Sequence, residues 1–104
     1  FYANTAQKRN SYYDVALEEL EETIPALSTV ESLYDAKELT RYLNQFVKEL
    51  SREDRYLFMR RYWYGDKIGD IAKKLNIPDN KVSVRLFRIR KKLQEYLKKE
   101  GMIA

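Results

Sequence analysis

The fold is decided by residues 66–99, which read DKIGDIAKKLNIPDNKVSVRLFRIRKKLQEYLKK. In the first third of this stretch, apolar residues recur every three or four positions, which predicts one face of a short helix. These residues are Ile68, Ile71, Ala72 and Leu75. Asp66 directly precedes them, and Asp is a favourable N-cap residue, so we expect the helix to begin there.

A turn and a second, longer helix follow. Asn76 interrupts the apolar pattern, and Asn tolerates the left-handed backbone conformation that a sharp turn needs. Pro78 suits a helix start because its missing N–H would have no intrahelical acceptor there. Apolar residues then share one face again at Val82, Leu86, Ile89, Leu93, Tyr96 and Leu97. A short helix, a three-residue turn and a longer basic helix predict a helix-turn-helix motif.

Two more helices are predicted before this motif. Apolar residues at helical spacing indicate one that starts near residue 31 or 35 and ends at 49. Ser51 and Asp54 resemble a capping box, which would start another helix over about residues 52–62. Gly65 would end that helix in the left-handed conformation. The predicted fold is therefore all-α, a small four-helix domain with a C-terminal helix-turn-helix.

Composition limits the function. The 104 residues suffice for one small domain. They include neither Cys nor His, which excludes disulfides and typical zinc sites and removes the commonest general base. No catalytic motif or phosphate-binding glycine loop occurs, so we expect neither an enzyme nor a cofactor. No apolar run approaches the ~20 residues that span a bilayer, and no signal-peptide core is present, so a cytoplasmic location is expected.

Charge is distributed unevenly along the chain. Residues 1–50 contain five Lys/Arg and nine Asp/Glu, whereas residues 51–104 contain fifteen Lys/Arg and seven Asp/Glu. The basic half is the half with the helix-turn-helix. Such clustering is typical of a protein that binds a polyanion, whereas the simpler alternative is that these charges only solvate exposed helix faces.

Residues 50–97, LSREDRYLFMRRYWYGDKIGDIAKKLNIPDNKVSVRLFRIRKKLQEYL, resemble region 4 of the sigma-70 family of RNA polymerase sigma factors, closest to the extracytoplasmic-function branch. The resemblance lies in an ordered set of motifs: Leu-Ser-x-x-x-Arg, Tyr-x-x-Gly, Ile-Ala-x-x-Leu and Val-x-x-x-Leu-x-Arg-x-Arg-x-x-Leu. Two positions depart from the family pattern. Asn76 replaces the usual Gly, and Gly69 replaces a larger helix former at a cost of about 1 kcal/mol.

The resemblance implies a domain organisation. Residues 1–10 would end a helix of a preceding region 2 domain, residues 11–32 would be an acidic inter-domain linker, and residues 33–100 would form the region 4 domain. A short helix within the linker, over about residues 13–22, would stop before Pro25. We favour a solvated tether for this segment; the alternative is that its carboxylates shadow the basic surface when DNA is absent.

Recognition helices read base edges with their N-terminal residues, while flanking cations meet phosphates. The expected base-reading residues are Asp79, Asn80, Lys81 and Val84. The expected phosphate-binding residues are Lys67, Ser83, Arg85, Arg88, Lys91 and Lys92. Interleaved aromatic and Arg residues at 55–64 could instead stack unpaired bases, but we favour a packing role for these aromatics because a small helical domain needs large core residues.

The resemblance implies binding to the −35 promoter element as duplex DNA and docking on the β-flap of core RNA polymerase. An anti-sigma protein is a further candidate partner, and no membrane partner is expected. Two alternatives stay open. One is a helix-turn-helix repressor or response-regulator output domain that acts without polymerase, and the other is a pure interaction module that binds polymerase but not DNA.

Overall fold

The computed structural model describes residues 11–29 and 33–103 of the chain. The helices are α1 (Ser11–Thr23), α2 (Leu33–Glu49), α3 (Arg52–Phe58), α4 (Ile68–Leu75) and α5 (Asp79–Lys99). A 3₁₀ turn, Pro25–Thr29, follows α1, and a π-helical turn, Met59–Trp63, continues α3. These residues form no strand, and the all-α class with a C-terminal helix-turn-helix is confirmed. The prediction for residues 1–10 lies outside the described residues.

The core is built around α5, which packs against each of the other four α-helices. Its apolar stripe is fully enclosed, with exposed fractions of 0–1 % at Val82, Leu86, Ile89, Leu93 and Leu97. Full burial of one such side chain contributes about 1.5–3 kcal/mol. Because this stripe uses up one side of α5, the opposite side is the one that can meet a ligand.

The acidic segment before α2 is more ordered than a solvated tether. Ala16, Leu20 and Ile24 recur every four residues and are 0–2 % exposed within the common core. Such spacing places them on one helical face, and α1 buries that face against α5 and the π-helical turn. The segment over Ser11–Thr23 is therefore a docked helix. Its assignment as the link to a preceding domain stays a prediction.

The helix ends follow the local sequence in most places. The Ser51 hydroxyl accepts a hydrogen bond from the Asp54 N–H at 3.2 Å and so caps α3. Gly65 has a positive φ of 75°, as expected for a residue that ends a helix. The expectation for Asp66 is wrong, since Lys67 is the N-cap of α4. The Asp66 carboxylate instead accepts a hydrogen bond from Arg60 Nε at 2.6 Å.

The aromatic cluster divides between core and surface. Phe58 and Tyr62 are buried, and Tyr56 packs against the core from a half-buried position. Trp63 and Tyr64 are exposed at the end of the π-helical turn. The packing role is therefore confirmed for Tyr56, Phe58 and Tyr62, whereas Trp63 and Tyr64 have much of their surface exposed.

Candidate nucleic-acid interface

The turn between α4 and α5 is made by backbone hydrogen bonds. Asn76 adopts the left-handed conformation with φ 57°. Its N–H bonds to the Lys73 carbonyl at 3.2 Å, and the Ile77 N–H bonds to the Ala72 carbonyl at 3.1 Å. This pair of bonds is a Schellman motif, which ordinarily uses Gly at the left-handed position. Ile77 then packs against the core. Asn76 therefore performs the role that Gly has in the family pattern.

The four predicted base-reading residues occupy the first two turns of α5. Asn80, Lys81 and Val84 are exposed, on the side of α5 away from the buried stripe. Asp79 is also exposed, but its carboxylate lies over the start of α4, where a Cβ built on Gly69 would be 3.6 Å from Asp79 Oδ2. These positions suit base contacts for the first three residues better than for Asp79.

The predicted phosphate-binding residues fall into two groups. Lys67, Arg88, Lys91 and Lys92 are exposed, while Ser83 is half-buried. Lys91 Nζ donates to Gln94 Oε1 at 3.1 Å, a surface contact that DNA could replace at little cost. Together with Lys81, the three basic residues of α5 in this group surround the outward side of the helix. They form a cationic strip that a nucleic-acid backbone could follow.

Arg85 belongs to the second group because it is already paired. Its Nη2 donates to Asp54 Oδ1 at 2.8 Å, and its Nη1 forms an ion pair with Glu53. Both carboxylates belong to the first turn of α3, where negative charge is favourable next to the helix N-terminus. Arg85 would have to leave two carboxylates to reach a phosphate.

Phe87 is an interface candidate that the sequence prediction missed. Half of its surface is exposed, although it lies on the helix that contributes most to the core. The Arg90 guanidinium lies 5.5 Å from the centre of its ring. Val84, three residues earlier, is 47 % exposed, so the two residues place apolar surface on one side of a basic helix. An apolar residue outside the buried stripe was the available sequence signal.

A polar network joins α1 to α5 and the π-helical turn. Arg90 Nη1 donates to Glu19 Oε2 at 2.9 Å, and Arg61 Nη2 donates to Glu19 Oε1 at 3.2 Å. The Tyr62 hydroxyl also donates to Glu19, and it accepts from Arg90 Nη1 at 2.7 Å. Burial, and next the Glu19 charge, raises the pKa of Tyr62 above its ordinary value. The paired residues of this network lie 28 to 71 positions apart in sequence, so no local pattern predicts the contacts.

An apolar groove lies between α2 and the end of α3. Its lining comes from Leu43, Asn44, Val47, Phe58, Met59, Tyr62 and Trp63. None of these residues belongs to α4 or α5. The groove would therefore stay accessible when the outward side of α5 is covered.

No helix in the described part of the chain is long and apolar enough to cross a membrane. Comparison with curated proteins and with solved structures gives no match. The family model described as "Sigma-70, region 4" matches residues 40–93, which is more than half of the chain. That match contains the whole of α3 and α4 and most of α5, including the turn at Asn76. The chain therefore belongs to the sigma-70 region 4 family, a family of DNA-binding regulatory domains.

Proposed function

We propose that this chain binds the −35 promoter element as duplex DNA through α5 while it contacts core RNA polymerase through a separate surface. One observation carries the DNA half of the proposal: the exposed cationic strip of Lys81, Arg88, Lys91 and Lys92 on the outward side of the second helix of a helix-turn-helix. The major groove of B-DNA admits one α-helix, and cations on its flanks meet phosphates. Promoter binding of this kind would take place in the cytoplasm.

The proposed contacts divide by position along α5. Asn80, Lys81 and Val84 read base edges, with amide pairing to adenine, ammonium pairing to guanine and apolar contact with a thymine methyl group respectively. Arg88, Lys91 and Lys92 meet phosphates, which fixes the register but carries no sequence information. Asp79 stays a candidate for a cytosine amino group only if its carboxylate leaves the start of α4.

The polymerase half of the proposal uses the apolar groove between α2 and α3. Family membership implies RNA polymerase as a partner, and the groove is an apolar surface that DNA binding by α5 leaves accessible. We assign the β-flap of core polymerase to it. An anti-sigma protein would compete for the same groove, because apolar surface is the main source of affinity there.

Selection of duplexes from a random pool, with the full-length protein and core polymerase, tests the DNA contacts. Lys81→Ala and Val84→Ala should each change preference at one or two adjacent base pairs by about 1–3 kcal/mol. Lys92→Ala should weaken all duplexes alike. If both base-reading variants return the parental consensus while Lys92→Ala shifts it, the assigned rotation of α5 is wrong.

Capture of core polymerase tests the second surface. Val47→Glu places a charge in the groove and should weaken capture, whereas Lys48→Glu introduces the same residue one position away, outside the groove lining. Equal capture by the two variants, at equal thermal stability, would remove the groove from the proposal.

A size measurement in solution separates a dimeric repressor from a monomeric polymerase partner.

A further inference from the structure

Phe87 is the starting point, because its ring is exposed on the outward side of α5 among Lys and Arg side chains. An exposed aromatic ring on a helix surface ordinarily samples several rotamers. Here the Arg90 guanidinium lies 5.5 Å from the ring centre, within cation–π distance. The ring also lines a cleft with Glu22 and Thr23 of α1 and with Lys91. The position of the ring therefore depends on Arg90 and on α1.

Arg90 is itself held in one place. Its side chain is 11 % exposed, and its Nε donates to the Thr23 hydroxyl at 2.8 Å. Its Nη1 donates to Glu19 and to the Tyr62 hydroxyl. A planar guanidinium with three such partners is fixed in position and orientation. Arg90 thus stays among protein partners, unlike Arg88, which is exposed in the cationic strip.

The partners of Arg90 are held in turn by the core. Thr23 ends α1, and its carbonyl accepts a hydrogen bond from Gln94 Nε2 at 3.1 Å, which ties the end of α1 to α5 a second time. Leu20 and Ile24 on either side of Thr23 are buried. Because packed interiors resist displacement, α1 cannot shift without moving the Arg90 guanidinium that its side chains hold. Contacts therefore lead from α1 through Arg90 to the ring of Phe87.

We propose that Arg90 is a positioning residue that supports Phe87 against a thymine methyl group in the major groove, so that Glu19 and Thr23 of α1 influence base preference without touching DNA. This inference rests on the proposed function, since it needs α5 in the major groove. The inference extends the proposed function, because it gives α1 an indirect effect on base preference. A methyl group of thymine is the chemical feature that an aromatic or aliphatic side chain can read there.

The test uses the 104-residue chain and the duplex that it selects at low salt. Each thymine is replaced in turn by deoxyuridine, which lacks only the 5-methyl group, and the ratio of dissociation constants is measured. Burial of one methyl group corresponds to a ratio of about four. The ratio should fall to about one in Phe87→Ala at one thymine, which identifies the position that Phe87 reads.

Two variants then test the support. Thr23→Val removes one hydrogen-bond acceptor from Arg90 at nearly constant volume, and Arg90→Lys keeps the charge but loses the planar fork. Both should lower the ratio at that thymine to about two or less while non-specific affinity stays within about twofold. Thr40→Val is the matched control, because the Thr40 hydroxyl bonds to the Ala36 carbonyl within α2, and it should keep the parental ratio.

The outcomes are distinct. If Thr23→Val and Arg90→Lys keep the parental ratio while Phe87→Ala abolishes it, the network is only structural and the inference is wrong. If Phe87→Ala keeps the ratio at every thymine, Phe87 reads no methyl group and the inference is also wrong, although the proposed function survives. If the parental protein selects no duplex even together with core polymerase, the proposed function itself fails.

Discussion

Arg85 Nη2 lies 2.8 Å from Asp54 Oδ1, so a basic residue of α5 is already paired with a carboxylate of α3. The two residues are 31 positions apart in sequence. The pair joins the first turn of α3 to one flank of α5, while Arg90 and Glu19 join α1 to the other flank. The outward side of α5 is thus oriented by two half-buried ion pairs, and the basic residues between them face solvent.

Because Arg85 is already paired, we expect Arg85→Ala and Arg88→Ala to have different effects on DNA binding and on stability. Arg88→Ala should reduce the slope of log affinity against log salt by about 0.9, the loss of one phosphate contact. Arg85→Ala should leave that slope nearly unchanged and instead lower the free energy of unfolding by about 1.5–3 kcal/mol. Duplex titrations at several salt concentrations, with urea melts of both variants, provide the measurement. A slope that drops equally in both variants would place Arg85 on a phosphate.

The docking of α1 predicts that a residue outside the matched family region contributes to domain stability. Leu20→Ala should cost about 2–5 kcal/mol, because the side chain is 2 % exposed in the common core. Val15→Ala on the same helix should cost little, because Val15 is exposed. Chemical denaturation followed by circular dichroism measures both. Equal stability of the two variants would mean that α1 is not packed against the domain in solution.

Gly69 predicts a stabilising substitution. It lies in the first turn of α4, its φ is not positive, and a Cβ there would meet only Asp79 Oδ2 at an ordinary distance of 3.6 Å. Gly69→Ala should therefore raise the free energy of unfolding by up to about 1 kcal/mol through reduced backbone entropy. A thermal melt measures the gain. A lower melting temperature would show that the space near Asp79 is tighter than this distance indicates.

Tyr62 predicts a loss of stability at high pH. Burial raises the pKa of its hydroxyl in the folded protein above the ordinary value of 10.0. Above pH 10 the unfolded chain releases this proton while the folded chain retains it, so the contribution is complete below pH 10 and falls as the pH rises further. Tyr62→Phe removes this dependence, and Lys titration is common to both proteins. The stability difference between parent and variant, from urea unfolding at pH 8–11, should shrink above pH 10; a constant difference would contradict it.

Sequence patterns near each residue were enough for the helix-turn-helix. The helical apolar spacing in residues 68–97, the left-handed Asn76 and the cap at Ser51 are local properties, and each appears where it was expected. The ordered motifs of residues 50–97 also predicted the family, and the match over residues 40–93 confirms that prediction. The exposure of Asn80, Lys81, Val84 and Arg88 was also predictable, because one side of an amphipathic helix must face the core and the other must not. Their contacts with DNA stay predictions.

Tertiary structure decided what happens to the charges. A carboxylate run in residues 18–22 is compatible with a solvated tether or with a docked helix. Only the tertiary positions of Arg61, Tyr62 and Arg90 give Glu19 its partners. Likewise, helix periodicity places Arg85 on one flank of α5 and Arg88 on its outward side, but only the packing of α3 beside that flank pairs Arg85 with Asp54. The physical reason is that helix periodicity determines which side of a helix a residue occupies, whereas ion pairs depend on which helices lie beside that side after folding. The sequence by itself determined the DNA-binding architecture, and the packing of α1 and α3 against α5 decided which of its charges stay available to DNA.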